Sequence, residues 1–124
     1  MQSYTFASDD AMAAVLAAFD ASGDDTYAVS LCATDVAALV GALDAYVLSS
    51  AEDWSRAHAA HVRRAAAGRD RYEAQWTREL FAAVISALRA YWEATPDGDY
   101  DGSTHDNAGS LLSGIAETLG VEFV

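Results

Sequence analysis

Apolar residues recur along this chain at helical spacing in five places. Met12, Val15, Leu16 and Phe19 stand at i, i+3, i+4 and i+7, the stripe of an amphipathic helix. Ser8 precedes them as an N-cap, and Asp9 and Asp10 fall in the first turn, where carboxylates favour the positive end of the helix dipole. Val36, Leu39, Val40, Leu43 and Val47 form a second stripe, opened by Thr34 as cap and Asp35 in the first turn. Ser50-Ala51-Glu52-Asp53 has the form of a capping box and predicts a third helix through Trp54, His58, His61 and Ala65, ending at Gly68. A fourth predicted helix runs from Arg69 to about Glu93. Its apolar positions, among them Tyr72, Trp76, Leu80, Phe81, Val84, Ile85 and Leu88, are wide enough to be buried on more than one side. Pro96 stops it. The fifth predicted helix, from Ala108 to Leu119, turns Leu111, Leu112, Ile115 and Leu119 inward and ends near Gly120.

Alternation of period two is confined to short stretches. Residues 3–6, 27–31 and 121–124 read as strands that pair into one small sheet. Residues 97–107 read as a polar loop rich in Asp and Gly. The pattern therefore predicts a mainly α domain spanning residues 1–124, with about five helices in a compact bundle and minor strand content.

Composition adds charge to this outline. The net charge is −12, there is no Lys, and all seven positive charges are Arg. A genome rich in G and C, or adaptation to high salt, would produce much of this bias without any function. The layout is uneven. Residues 1–55 hold nine acids and no base, giving −9; residues 56–89 hold seven Arg and three acids, giving +4; residues 90–124 hold seven acids and no base, giving −7. So negative a chain opposes nonspecific nucleic-acid binding and adsorption to anionic membranes. It permits a basic protein partner, and it permits mimicry of a nucleic acid. Small inhibitors and immunity proteins share this size and acidity, a likeness of composition alone. With Cys32 as the single cysteine, no internal disulfide forms, and a reducing, cytoplasmic setting is expected. Cys32 itself reads as a small buried residue. No run approaches the roughly 20 apolar residues of a membrane span.

Four groups of residues carry candidate chemistry. Arg64, Arg71 and Arg78 recur every seven residues and would share one face of a helix that ran through Gly68. With Trp76 they form a candidate partner-binding stripe or a homodimer seam, since Trp, Tyr and Arg are enriched at interface hot spots. The simpler reading is an Arg-bearing central helix pair that neutralises acidic neighbours. Asp24 and Asp25 are candidate partner contacts of the opposite sign. Asp97-Gly98-Asp99-Tyr100-Asp101-Gly102 matches the opening of a calcium loop, in which alternate carboxylates converge on a hard cation. The match fails at its twelfth position, where Ala108 replaces the bidentate Glu, so Ca2+ binding at Asp97, Asp99 and Asp101 is an alternative function rather than the expected one. His58 and His61, three apart on a helix, could share a metal but lack two further ligands in any recognisable spacing. No nucleophile elbow, phosphate loop or dinucleotide fingerprint appears, so no catalytic residue and no cofactor is assigned. The expected function is a non-enzymatic protein–protein interaction module, with a cation-binding protein second and a small enzyme without a recognisable motif third.

Overall fold

The computed structural model describes residues 3–6, 8–94 and 102–123, with side chains from residue 106 onward in the last segment. Its elements, in chain order, are β1 (Ser3–Tyr4), α1 (Asp9–Ala21), β2 (Thr26–Leu31), α2 (Ala33–Val47), α3 (Asp53–Ala66), β3 (Tyr72–Thr77), α4 (Arg78–Ala94), α5 (Gly102–Thr118) and β4 (Glu122–Phe123). The chain is thus mainly α, with five helices among the described residues and short strands, as the periodicity predicts.

Local chemistry sets most of the boundaries. Ser8 caps α1 through its Oγ, which accepts the Ala11 amide at 3.1 Å. The two other predicted caps do not form. Cys32, in extended backbone, precedes α2, and Glu52 precedes α3; neither side chain bonds the helix start. Cys32 is therefore exposed rather than buried: it stands before the first turn, outside the apolar stripe that begins at Val36. After α3 the chain reverses at Gly68, whose φ of +76° is left-handed and free of strain only for glycine.

Residues 72–77 correct the long fourth helix expected from Arg69. They form β3, and α4 begins at Arg78. Tyr72 and Trp76 are four apart, a spacing that places two side chains on one side of either a helix or a strand. Glu73, Gln75 and Thr77 are exposed between the inward Tyr72, Ala74 and Trp76. The strand is decided by its partner: β2 pairs with β3 antiparallel over six consecutive residue pairs, from Thr26 opposite Thr77 to Leu31 opposite Tyr72, without a bulge. The expected single sheet also divides. β1 pairs parallel with β4, Ser3 opposite Glu122 and Tyr4 opposite Phe123, while β2 and β3 form a separate two-stranded ribbon. The last helix begins at Gly102, six residues ahead of the predicted start, so residues 102–107 are helical rather than loop.

α4 is the central element. Phe81 through Ile85 are five consecutive buried residues, followed by Ala87 and Leu88. Burial on so many sides requires several neighbours, and α2, α3, α5 and the ribbon all pack against it. Alanines at 82, 83 and 87 allow close approach. The approach of α5 is closest at Gly109, where an added Cβ would stand 2.9 Å from Cδ1 of Trp92. Trp92 in turn lies against Phe6, whose ring also meets Phe123, and this joins both chain ends to the bundle.

The ribbon is fixed by aromatic contacts. Trp76 is 1% exposed and donates its indole N–H to the Tyr72 hydroxyl at 3.0 Å. Tyr27 stacks toward Trp76 and leans on Phe81, and Phe81 stacks on Phe19 of α1 at 4.9 Å. Replacing Trp76 with Ala removes the largest buried side chain of this set. The expected loss is about 3–5 kcal/mol of unfolding free energy, read as a lower denaturation midpoint in urea; a loss below about 1 kcal/mol would contradict this role for the indole.

Candidate functional site

The ribbon leaves a groove beside it. β3 covers one edge of β2; the other edge faces α5 across an open groove of about 450 Å³. Five successive strand residues, 27–31, line it, together with Asp35 from the first turn of α2 and Ser110, Leu111, Gly114, Ile115 and Thr118 from α5. Successive residues on one wall mean that the strand presents its main-chain edge, because side chains alone would alternate in and out. In an antiparallel ladder alternate residues turn their N–H and C=O away from the partner. Among the described residues, no main-chain group from α5 or any loop bonds that edge.

Two bonds fix the groove at its Tyr27 end. Thr118 donates its hydroxyl proton to the Ile115 carbonyl at 2.7 Å, so its oxygen accepts from the Tyr27 hydroxyl, also at 2.7 Å. The walls are apolar at Val29, Leu111 and Ile115. Above Gly114 the space is open: a Cβ there would meet nothing within 4 Å. Among the described residues that line the groove, Asp35 is the one carboxylate, and none is Arg or His. One arginine approaches from the outer face of the ribbon. Arg71 Nη2 lies 3.4 Å from Ser30 Oγ and 3.2 Å from Glu73 Oε1, its ion-pair partner.

The arginines are distributed differently from the stripe expected on one helix. Arg64 is on α3, Arg71 precedes β3 and Arg78 opens α4, so they do not share a face. Arg78 forms a two-bond fork with Asp20 of α1, at 2.7 and 3.2 Å. Arg89 lies 2.5 Å from Asp9 and 3.2 Å from Glu93. Arg63 pairs with Asp44 and joins α3 to α2; Arg56 pairs with Asp53. Trp76 is enclosed in the core rather than displayed on a surface stripe. Asp24 and Asp25 are exposed in the turn before β2. Among the described residues they form no ion pair, and neither do Asp10, Asp35, Asp106 and Glu117.

His58 and His61 border a second groove of about 440 Å³ with Ala57, Arg64, Thr77 and Leu80. The Nδ1 atom of His58 is 2.6 Å from the Trp54 carbonyl, so that nitrogen carries the proton and donates. No group of three or more His, Cys, Asp or Glu side chains converges as metal ligands among the described residues. Asp97, Asp99 and Asp101, the candidate Ca2+ ligands, lie outside the described residues. Among the described residues no helix is long and apolar enough to cross a membrane. Sequence reasoning missed the groove. Periodicity marks Asp35 only as a partner of the helix dipole and gives Gly114 no role. A signal is present in the uncharged run Thr26–Leu31, which leaves a strand edge without the charges that usually protect one.

No protein family model, curated protein or solved structure matches this chain.

The Arg78 fork has a titration consequence. Hydrogen bonding from the guanidinium, reinforced by its charge and only partly opposed by desolvation, holds the Asp20 carboxyl below its ordinary value of 3.8. A carboxylate depressed in the folded state contributes stability that is present above about pH 3.8 and is lost as the pH falls through the lower folded value. Arg78→Gln should therefore return Asp20 to near 3.8. Carboxyl carbon chemical shifts followed by NMR read this directly; an Asp20 midpoint unchanged by the substitution would contradict the fork.

Proposed function

We propose that this chain is a non-enzymatic protein–protein interaction module that engages a basic partner through its acidic surface, as an inhibitor or regulator does. The observation that supports this is the separation of paired from unpaired charge. Arginines at 56, 63, 71, 78 and 89 are matched to carboxylates within the fold. Among the described residues Asp24, Asp25, Asp35 and Glu117 are not matched: Asp35 lines the β2–α5 groove, Asp24 and Asp25 stand just before β2, and Glu117 adjoins the lining residue Thr118, whereas the unmatched Arg64 and Arg69 lie on and after α3, outside that lining. Unmatched charge of one sign raises the local potential, which speeds encounter with an oppositely charged surface and rejects like-charged ones.

A reducing, cytoplasmic setting suits the exposed thiol of Cys32, which would be open to oxidation elsewhere.

The test is capture from the native cell extract on the immobilised full chain, at about 0.1 M and about 1 M salt, where the screening length falls from roughly 10 to 3 Å. Captured proteins should be basic and should be released at the higher salt. The triple variant Asp24→Asn, Asp25→Asn, Asp35→Asn should lose most of the capture while keeping its melting temperature. A partner retained equally at both salt concentrations would overturn the electrostatic mechanism.

A further inference from the structure

We infer that the open edge of β2 takes up an extended segment of that basic partner as an added strand, seated in the groove between β2 and α5. This rests on the reading of the partner as basic and adds to it a binding mode and a location. Strand addition draws affinity from main-chain hydrogen bonds along the edge and selectivity from the surfaces that meet alternate side chains.

Three observations carry it. First, β2 is an unprotected edge. Natural edge strands are blunted by charge, proline, bulges or a covering element. Thr26–Leu31 holds no charged residue and no proline, and its ladder with β3 is unbroken over six pairs. Among the described residues no main-chain hydrogen bond covers the outer edge. At about 3.4 Å per residue the strand offers about 20 Å of edge.

Second, α5 stands off at a distance that leaves room. The groove holds about 450 Å³ and opens further above Gly114, where a methyl group on Cα would meet no atom within 4 Å. Inward-facing side chains of an added strand would meet Leu111, Ile115 and Val29. The outer edge of β3 provides a contrast. The groove there, against α3, is smaller, about 250 Å³, and its border sets Arg69 beside Glu73, so it presents no charge of one sign.

Third, carboxylates stand at both ends of the edge, and Arg71, which reaches Ser30 at one of them, is paired with Glu73. Asp24 and Asp25 immediately precede Thr26. Asp35 lines the groove beside Leu31, and Asp106 lies one helical turn before Ser110 on α5. A segment with Lys or Arg at both ends and uncharged, β-forming residues between them matches this layout. A second copy of the chain does not. Antiparallel pairing of two β2 edges would bring Asp24 and Asp25 of each copy toward Asp35 of the other, setting like charges together.

The probe is a pool of ten-residue peptides with Lys-Arg at each end and a varied centre of Val, Ile, Thr and Ser. A control pool has the same charges but proline at alternate central positions, which removes the donors a strand needs. Each is titrated into the isotope-labelled full chain and followed by amide NMR. The expected result is that shifts concentrate on residues 26–31 and on the facing side of α5, that the proline pool binds at least about tenfold more weakly, and that Gly114→Leu abolishes the strand-specific shifts. Glycine is disfavoured inside a helix, so Gly114→Leu should keep or raise the melting temperature, which separates a filled groove from a lost fold. Asp35→Lys should weaken the first pool by at least about tenfold, because a matched charge is replaced by a like one. If both pools bind equally and shift acids all over the surface, the groove is overturned while the basic-partner reading stands. If neither pool binds, the groove is likewise overturned, and the salt-dependent capture decides the basic-partner reading separately.

Discussion

The seating of Trp76 against α4 is the constraint on which the rest of the structure depends. A two-stranded ribbon has little stability by itself in water. Here its inner face is anchored by Trp76 and Tyr72, which hydrogen-bond to each other, and by Tyr27, which reaches Phe81 on α4. Phe81 continues the contact to Phe19, so the same aromatic row brings α1 onto the bundle. The row places β3 toward α3 and leaves β2 on the outside, opposite α5. The Tyr27 hydroxyl then bonds Thr118, which sets the spacing between strand and helix at one end of the groove. The open edge is thus held by the same burial that stabilises the core.

The charges follow from this arrangement rather than directing it. Arg78 and Arg89 lie on the helix that the core surrounds, and each reaches out to α1, to Asp20 and Asp9 respectively. Arg63 reaches from α3 to Asp44 of α2. These exposed pairs are each worth little, on the order of 0–1 kcal/mol. Their larger effect is on where charge is left over. They neutralise acids on the α1 side and at the α2–α3 seam. The side formed by the α1–β2 turn, the start of α2 and α5 holds acids with no matched base among the described residues. That side carries part of the net charge of −12; among the described residues Asp10 and Asp70, elsewhere on the fold, also form no ion pair.

Much of the fold was legible because core residues recur at a helical period. Met12, Val15 and Phe19, or Val36, Leu39 and Leu43, fit one face of a helix and no strand, and all are buried. Tyr72 and Trp76 carry no such distinction, since a spacing of four suits one turn of helix and two pleats of strand equally. Only the long-range pairing of Ala74 with Val29 and of its neighbours decides between them. The heptad spacing of Arg64, Arg71 and Arg78 lost its meaning for the same reason: the chain turns at Gly68 and crosses a strand before Arg78. Thr34 and the Ser50–Asp53 run had the composition of caps, yet the backbone entered each helix a residue or two away. The groove was the least legible feature. A strand's sequence records which face is buried, but not which edge is left unpaired; that depends on residues far away in the chain.

An uncharged edge strand is ordinarily a liability, because it can pair with its own copies. In this chain the defence stands beside the strand instead of on it. Asp24 and Asp25 precede β2, and Asp35 follows it, so any twofold pairing of edges would confront acid with acid. The same placement leaves the edge itself chemically intact, with its main-chain donors and acceptors unobstructed. Charges on alternate residues of β2 would have protected against self-association equally well, but they would have closed the groove to every strand. Charges at the two ends discriminate: they repel a copy of this chain and attract a segment of opposite sign. One arrangement of carboxylates thus opposes pairing of the edge with its own copies and favours a segment of opposite sign.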